Sequence, residues 1–318
     1  MTTTAPKKLI SIVIPVYNEE ENVRAAYSAV NEVFATSLGN RYDWEFVFTD
    51  NRSTDSTFPI LVALASENAR VRVLRFSKNF GYQKSIWTGY CHARGDAAIQ
   101  IDCDLQDPPE LIPEFLNLWE QGNMVVYGVR RTREEEPRLM HAFRKCFYRL
   151  VDFLSEDPLP LNAGDFRLID RKIMDILKQI DDRHPYLRGT IAAIGFRQIG
   201  VPYDRRGRQR GQSKFDLSSL VSLAVDGILN HSIVPLRIAT VLGIVVSALT
   251  VLGAIAYVVG HMVSGQEWPR GFTTITVLIL ISLGVNALLF GIIGEYVGRM
   301  FQQMKNRPVT IIEDRINL

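Results

Sequence analysis

The sequence predicts an α/β domain on a mainly parallel sheet, followed by a two-helix transmembrane hairpin with amphipathic helices beside it. Three observations predict this. Short β-rich runs alternate with helical periodicity through the first half of the chain. Two long runs near the C-terminus, Ile238 to Gly260 and Gly271 to Gly294, carry no charged side chain. Basic residues crowd the flanks of those runs and are almost absent between them.

Taken in order, Leu9 to Ile14 reads as a buried strand ended by Pro15, and Asn18 to Phe34 as a helix. Trp44 to Thr49 is a second strand. Asp55 to Glu67 is helical, entered through Ser53-Thr54-Asp55, short polar residues suited to capping helix amides. Val71 to Phe76 is a third strand, Gln83 to Arg94 a helix, and Ala97 to Asp102 a fourth strand. Pro108 and Pro109 open another helix, since proline is tolerated in a first turn. Met124 to Gly128 is a fifth strand. Strands alternating with helices give a sheet covered on both faces. Ligands then bind beyond the carboxyl ends of the strands. This directs attention to three loops: Pro15 to Glu19, Asp50 to Asp55 and Asp102 to Asp107.

Each charge-free run exceeds the ~20 apolar residues a helix needs to cross a bilayer core. The segment between them, His261 to Arg270, holds one basic residue, Arg270, opposed by Glu267. Arg205, Arg206, Arg208, Arg210, Lys214 and Arg237 precede the first run, and Arg299, Lys305 and Arg307 follow the second. Lys and Arg stay on the cytoplasmic side, which places both termini and the main domain there. The expected divisions are a cytoplasmic domain over 1–214, a juxtamembrane amphipathic helix over 215–232, the hairpin over 233–298 and a cytoplasmic tail over 299–318. The polar Asn286 in the second span is expected to face protein rather than lipid. Small residues such as Gly243, Gly253, Gly284 and Gly291 would pack the hairpin on itself or support a homo-oligomer. Two stretches, Pro137 to Ser155 and Asp216 to Asn230, carry apolar stripes at helical spacing. These either pack on the sheet or lie in the headgroup layer. Val309 to Ile312 is a possible short strand, open to pairing with another subunit.

The chain has 318 residues and a formal net charge of +2, enough length for one large α/β domain before the spans. No signal peptide is expected, because Met1 to Lys8 is polar and the apolar stretch after it is short. Cys91, Cys103 and Cys146 lack metal-ligand spacing and read as reduced packing thiols. Nucleic-acid binding is not expected, since the basic clusters adjoin the spans.

Asp102-Cys103-Asp104-Leu105-Gln106 ends a strand, and two carboxylates so spaced in a turn can face one hard cation such as Mg²⁺ or Mn²⁺. A lone pair of this kind is often only a solvated turn. Tyr17 could stack on a base and Glu19 accept hydrogen bonds, or both could simply begin a helix. Asp50 to Asp55 is likewise either a helix cap or a nucleoside contact.

Together these segments resemble the GT-A glycosyltransferases that use nucleotide-sugar donors, a Rossmann-like fold. They are nearest to the polyprenyl-phosphate branch, which includes dolichol-phosphate mannose synthases and bactoprenol glucosyltransferases. The resemblance covers SIVIPVYNEEENV from Ser11, DNRSTDST from Asp50, KNFGYQKSIWTGY from Lys78, IDCDLQDPPELI from Ile101, GDFRLIDR from Gly164 and RGQSKF from Arg210. It implies nucleoside contacts at Pro15, Tyr17, Glu19, Asp50 and Asn51, and a metal and diphosphate site at Asp102, Asp104 and Gln106. Cys103, Arg130, Arg208, Ser213 and Lys214 join the donor side, with Ser213 and Lys214 closing over it. Arg131, Arg144, Arg167 and Arg205 are expected on the acceptor side. Asp104, Asp165 and Arg130 are the expected catalytic groups. Asp165 would either orient Arg167 or act as a base; Asp157 is a candidate base or an ordinary loop acid. One departure stands out: the family commonly has a second acid and a glycine where this chain has Asn51 and Arg52.

Charge supports the assignment separately. A sugar-nucleotide diphosphate and a lipid phosphate repel by a few kcal/mol at ~4 Å and an effective dielectric near ~20. A divalent cation and several arginines answer that need. The expected reaction is transfer of a hexose, glucose from UDP-glucose, onto undecaprenyl or another polyprenyl phosphate at the cytoplasmic face of a bacterial inner membrane, with inversion. The rivals are a non-catalytic membrane protein that binds the lipid phosphate or recruits a flippase, and a processive polysaccharide synthase. The second would carry a Q-x-x-R-W motif, which this chain lacks.

Overall fold

A computed structural model describes residues 6–131, 163–182, 185–206, 271–305 and 308–318, with scattered positions between 236 and 263. Its centre is a run of four strands in the spatial order β3-β2-β1-β4, paired in parallel: β1 (Lys8–Val16), β2 (Tyr42–Asp50), β3 (Val71–Phe76) and β4 (Ala97–Gln100). These are continuous apolar runs because both faces of a parallel sheet are covered. Side chains alternate across the sheet. Ile12, Ile14, Phe46 and Phe48 pack on one face beneath α1 (Val23–Val33), α2 (Thr57–Glu67) and α4 (Ile112–Glu120). Val13, Val47 and Leu74 pack on the other, beneath α3 (Tyr82–His92), α5 (Arg171–Gln179) and α6 (Leu187–Ala193). The register aligns Val16 with Asp50 and Asp50 with Arg75, so the strands end together and their loops share one rim.

The sheet differs from the sequence reading beyond β4. β6 (Ala163–Asp170) lies antiparallel between β4 and β5 (Val125–Arg130), and β7 (Gln198–Tyr203) pairs parallel to β5 at the edge. Neither β6 nor β7 was anticipated as a strand. Boundaries also shift. β1 continues through Pro15, which pairs opposite Thr49. β4 stops at Gln100, so Asp102 is in the loop. The first helix begins at Val23, because Asn18 has a left-handed backbone (φ 53°) that no α-helix admits.

At the opposite edge, β8 (Ile312–Ile316) pairs antiparallel to β3. The tail strand expected over 309–312, and offered to another subunit, therefore lies a little later and completes this chain's own sheet. Val309 and Ile312 pack against the apolar cluster under α3, and Asn317 Nδ2 donates to the Ala65 and Val71 carbonyls at 2.8 and 2.9 Å. Burial of those apolar contacts is available within one chain, which is why the strand docks here.

Among the described residues no helix is long and apolar enough to cross a membrane. The second expected span falls within α7 (Phe272–Met304), a helix of 33 residues in which many side chains lie outside the described set. The described positions of 236–263 are helical, and Gly243 faces Leu289 of α7. Asn286 Nδ2 donates back to the Ser282 carbonyl at 2.8 Å, and among the described residues its side chain is exposed. The amphipathic stretches 137–155 and 216–230 lie outside the described residues.

Gly89 in α3 determines how closely that helix approaches the sheet. A Cβ there would lie 2.3 Å from Val13 Cγ1, on a stiff side chain of the central strand. Gly89→Ala should cost about 1–3 kcal/mol through overpacking, read as a lowered thermal midpoint. It should also lower kcat/KM, because α3 carries Tyr82 toward the rim.

Candidate active site

The first two loops are bound to each other. Asn18 N donates to Ser53 Oγ (2.9 Å), Glu19 N to Thr57 Oγ1 (2.8 Å) and Glu20 N to Asp55 Oδ2 (3.3 Å). In return Thr54 N donates to Asn18 Oδ1 (2.8 Å) and Ser56 N to Glu20 Oε2 (2.9 Å). Each loop thus satisfies amides that the start of the other's helix leaves without partners. Glu19 itself accepts from Asn22 Nδ2 at 2.7 Å, while Tyr17 is exposed at the rim. Asp50 is fully buried. Burial raises its pKa against the lowering effect of the Ser53 hydrogen bonds and the Arg75 charge. Asn51 Oδ1 accepts from Phe80 N at 3.3 Å, joining the second loop to the one before α3. Asn18, Arg52 (φ 63°) and Leu105 (φ 53°) place one left-handed non-glycine residue in each of the three loops. Such backbone costs of order 1 kcal/mol or more and persists where contacts on both sides fix it.

The third loop concentrates negative charge. Asp102 Oδ1 accepts from Tyr82 Oη (2.5 Å) and Gln100 Nε2 (2.8 Å). Burial, then the charges of Asp107, Asp165 and Asp104, raise the Asp102 carboxyl to about 7, with the Tyr82 hydrogen bond opposing them. A divalent cation would reverse that balance. Among the described residues no group of three or more His, Cys, Asp and Glu forms a metal cluster. Asp102 and Asp104 are the hard carboxylates of this loop that could hold such an ion, with its other positions open to phosphate oxygens and water. Gln106 is held beside Arg206: its Nε2 donates to the Arg206 carbonyl at 3.3 Å, and Arg206 N donates to the Gln106 carbonyl at 3.0 Å. The Cys103 thiol is buried in the apolar core, so its side chain is not turned to a donor.

Asp107 was not singled out from sequence, yet it organises the arginines. It is 1% exposed, and its Oδ1 takes a short hydrogen bond from Tyr203 Oη. Arg130 Nη2 and Arg205 Nε stand 3.6 and 3.8 Å from the same oxygen, and Arg130 Nε donates to Tyr203 Oη at 3.2 Å. Two glycines make room: a Cβ on Gly128 would lie 2.6 Å from the Tyr203 ring, and one on Gly164 would lie 3.3 Å from Arg130 Nη2. Arg131 is exposed and pairs with Asp204 at 3.3 Å.

Asp165, near the same rim, is gripped by Arg188, which the sequence reading also missed. Arg188 Nε and Nη2 donate to the two carboxylate oxygens at 2.9 and 2.8 Å. Burial alone would raise the Asp165 pKa. The charge and hydrogen bonds of Arg188, then the charges of Arg167 and Arg130, outweigh it and bring the carboxyl to about 2. That is a poor base and a firm anchor. Arg167 is 5% exposed, donates to the Gly164 carbonyl at 3.0 Å and stands 4.0 Å from Asp165, so it backs the anchor rather than presenting itself to an acceptor. Asp157, Arg144, Arg208, Ser213 and Lys214 lie outside the described residues.

Residues 11–177 match the glycosyl transferase family 2 domain. The chain is 36% identical over 304 residues to the SfII prophage-derived bactoprenol glucosyl transferase of Shigella flexneri, covering 96% of this chain and 97% of that protein. It is 36% identical over 305 residues to an uncharacterized glycosyltransferase of Synechocystis, covering 96% and 95%. Against the prophage bactoprenol glucosyl transferase homolog of Escherichia coli K12 it is 35% identical over 304 residues, covering 96% and 98%. Among solved structures, mannosyl-3-phosphoglycerate synthase from Rubrobacter xylanophilus aligns with a TM-score of 0.47 and 19% identity, over 70% of this chain and 73% of that one. The chain belongs to glycosyl transferase family 2.

Two outcomes follow from these contacts. Arg188→Ala leaves Asp165 buried without its partner and should destabilise the protein by about 3 kcal/mol, the low end for a broken buried pair, since the Arg188 side chain is 30% exposed. Because the Asp165 pKa is lowered from 3.8 to about 2, its contribution is fully present above the unfolded value. It is lost as pH falls from 3.8 toward 2. Acid titration should show this slope in the native chain and not in the variant. Asp107→Asn keeps the Tyr203 contact but removes the charge facing Arg130 and Arg205; steady-state kinetics should show roughly a tenfold to hundredfold fall in kcat/KM.

Proposed function

We propose that this glycosyl transferase moves one hexose, glucose carried on UDP, onto a polyprenyl phosphate at the cytoplasmic face of a bacterial inner membrane, giving polyprenyl-phosphate glucose. The observation that carries the reading is the convergence on one rim of the Asp102-Asp104 pair and the arginines anchored by Asp107 and Asp165. Relatives that bear the name bactoprenol glucosyl transferase over almost their whole length support the sugar and the acceptor.

The chemistry asks little of a base. A phosphate monoester has its second pKa near ~6 and is mostly dianionic at neutral pH. Its oxygen attacks the anomeric carbon in line; the new C–O bond forms as the bond to the diphosphate breaks, with inversion. Asp165, held ionised by Arg188, orients the arginine side of the site and takes no proton. Arg130 and Arg205 share the single charge of Asp107 and so retain positive potential for phosphate oxygens. Mg²⁺ or Mn²⁺, when bound at Asp102 and Asp104, supplies charge neutralisation to the departing diphosphate. Tyr17 contacts the nucleoside side, the buried Asp50 and Asn51 hold the loop beside it, and Ser213 and Lys214 close over the donor.

The membrane anchor belongs to the same proposal. The two charge-free runs and the placement of Lys and Arg around them support a hairpin with both termini cytoplasmic. Ile275, Leu278, Ile279, Leu283 and Phe290 of α7 are all exposed, an apolar surface that lipid would cover.

Purified protein incubated with labelled UDP-glucose, polyprenyl phosphate and Mn²⁺ should yield a lipid carrying one sugar. No labelled lipid with any common nucleotide sugar ends the proposal. Chelation should abolish turnover, and Asp104→Ala should lower kcat by roughly a hundredfold or more with the fold kept.

A further inference from the structure

β8 does more than close a sheet edge. Its register with β3 pairs Phe76 with Ile312 and Arg75 with Asp314, and shifts between the two, so Glu313 is the extra residue of a bulge. Bulges re-aim a side chain and are frequent beside active sites. Here Glu313 Oε2 forms an ion pair with Arg52 Nη1 and stands 3.9 Å from Arg75 Nε. Arg75 Nε stands 3.6 Å from Asp50 Oδ2 on its other side. The row Asp50, Arg75, Glu313, Arg52 therefore leads from the tail into the second loop. Asp50 Oδ2 and Arg75 Nε are both buried without a hydrogen-bond partner, so Arg75 lies between two carboxylates, with its guanidinium 4.0 Å over the Phe58 ring. Arg52 has the left-handed backbone that favours glycine, and its side chain holds that backbone from outside the loop. The next residue back, Asn51, links the loop to Phe80 N.

We propose that Glu313 is a positioning residue for the donor nucleotide: by holding Arg52 and Arg75 it fixes the Asp50-Asn51 loop, so the segment following α7 sets nucleotide affinity. The inference rests on the nucleotide-sugar reading above. It also gives the Asn51-Arg52 departure from the family pattern a physical consequence, since a glycine could not reach Glu313.

The test uses the full chain in detergent, with UDP and Mn²⁺ as the probe. Glu313→Ala should weaken UDP binding by calorimetry, and raise the KM for UDP-glucose, roughly threefold to fivefold, the range of a half-exposed ion pair. The kcat and the KM for polyprenyl phosphate should stay within about twofold, a split that general loss of stability would not give. Arg52→Gly, which relieves the backbone and cannot unfold the chain through strain, should bind UDP as weakly as Glu313→Ala. Native-like UDP affinity in Arg52→Gly or in Glu313→Ala overturns the proposal. Hydrogen exchange at the Ser53 and Phe80 amides supplies a readout that needs no ligand. If the native chain binds no UDP the functional reading fails, and exchange alone decides the clamp: faster exchange in Glu313→Ala supports it, and unchanged exchange overturns it.

Discussion

The structure depends on holding like charges together at one end of a sheet. Asp50, Asp102, Asp104, Asp107 and Asp165 all stand at or near the carboxyl rim, and two of them show what decides their state. Asp165 and Asp102 are both desolvated, and desolvation raises a carboxyl pKa. Asp165 has a bidentate guanidinium and falls to about 2; Asp102 has only neutral donors and acidic neighbours and rises to about 7. The partner, not the burial, sets the direction. The arginine side of the rim is therefore braced within the chain while keeping positive potential, and the Asp102 side has acidic neighbours that suit a cation.

That division is produced by topology. The parallel strands β1 to β4 end in register and contribute the acidic loops and the nucleoside side. The inserted antiparallel β6 and the edge strand β7 bring in Asp165, Tyr203 and Arg205. Arg188 comes from the helix packed between them. A transferase that must bring two anions together gains from arginines braced by carboxylates of the chain, because the guanidinium groups are then held in place before a phosphate arrives. Loop-to-loop hydrogen bonds, such as Asn18 with Ser53 and Thr54, then make the rim one surface rather than five independent turns.

Much of this was legible along the chain. The strand and helix alternation to β5 was readable because each element is a local pattern, and Asp102, Asp104 and Arg130 were readable because they follow strands. The misses share one cause. Arg188 is 23 residues from Asp165, and Asp107 acts on Arg130 and Arg205 only through folding, so neither carries a local sign. β6 was met as a motif rather than as a strand. Cys103 sits inside a site motif, but its side chain alternates into the core. The tail strand was seen, and its partner was not, because pairing across an edge leaves no periodicity in either segment.

The sequence by itself determined the elements, the order of the loops and the chemical types gathered in them, since hydrophobic period and turn residues are properties of short windows. Only the tertiary structure decided which carboxylate a guanidinium anchors and which takes neutral donors, that Gln106 Nε2 turns to the Arg206 carbonyl, and that Glu313 reaches Arg52. Those outcomes rest on desolvation and on charge separations of a few ångströms between distant segments, quantities that exist only once the chain has closed on itself.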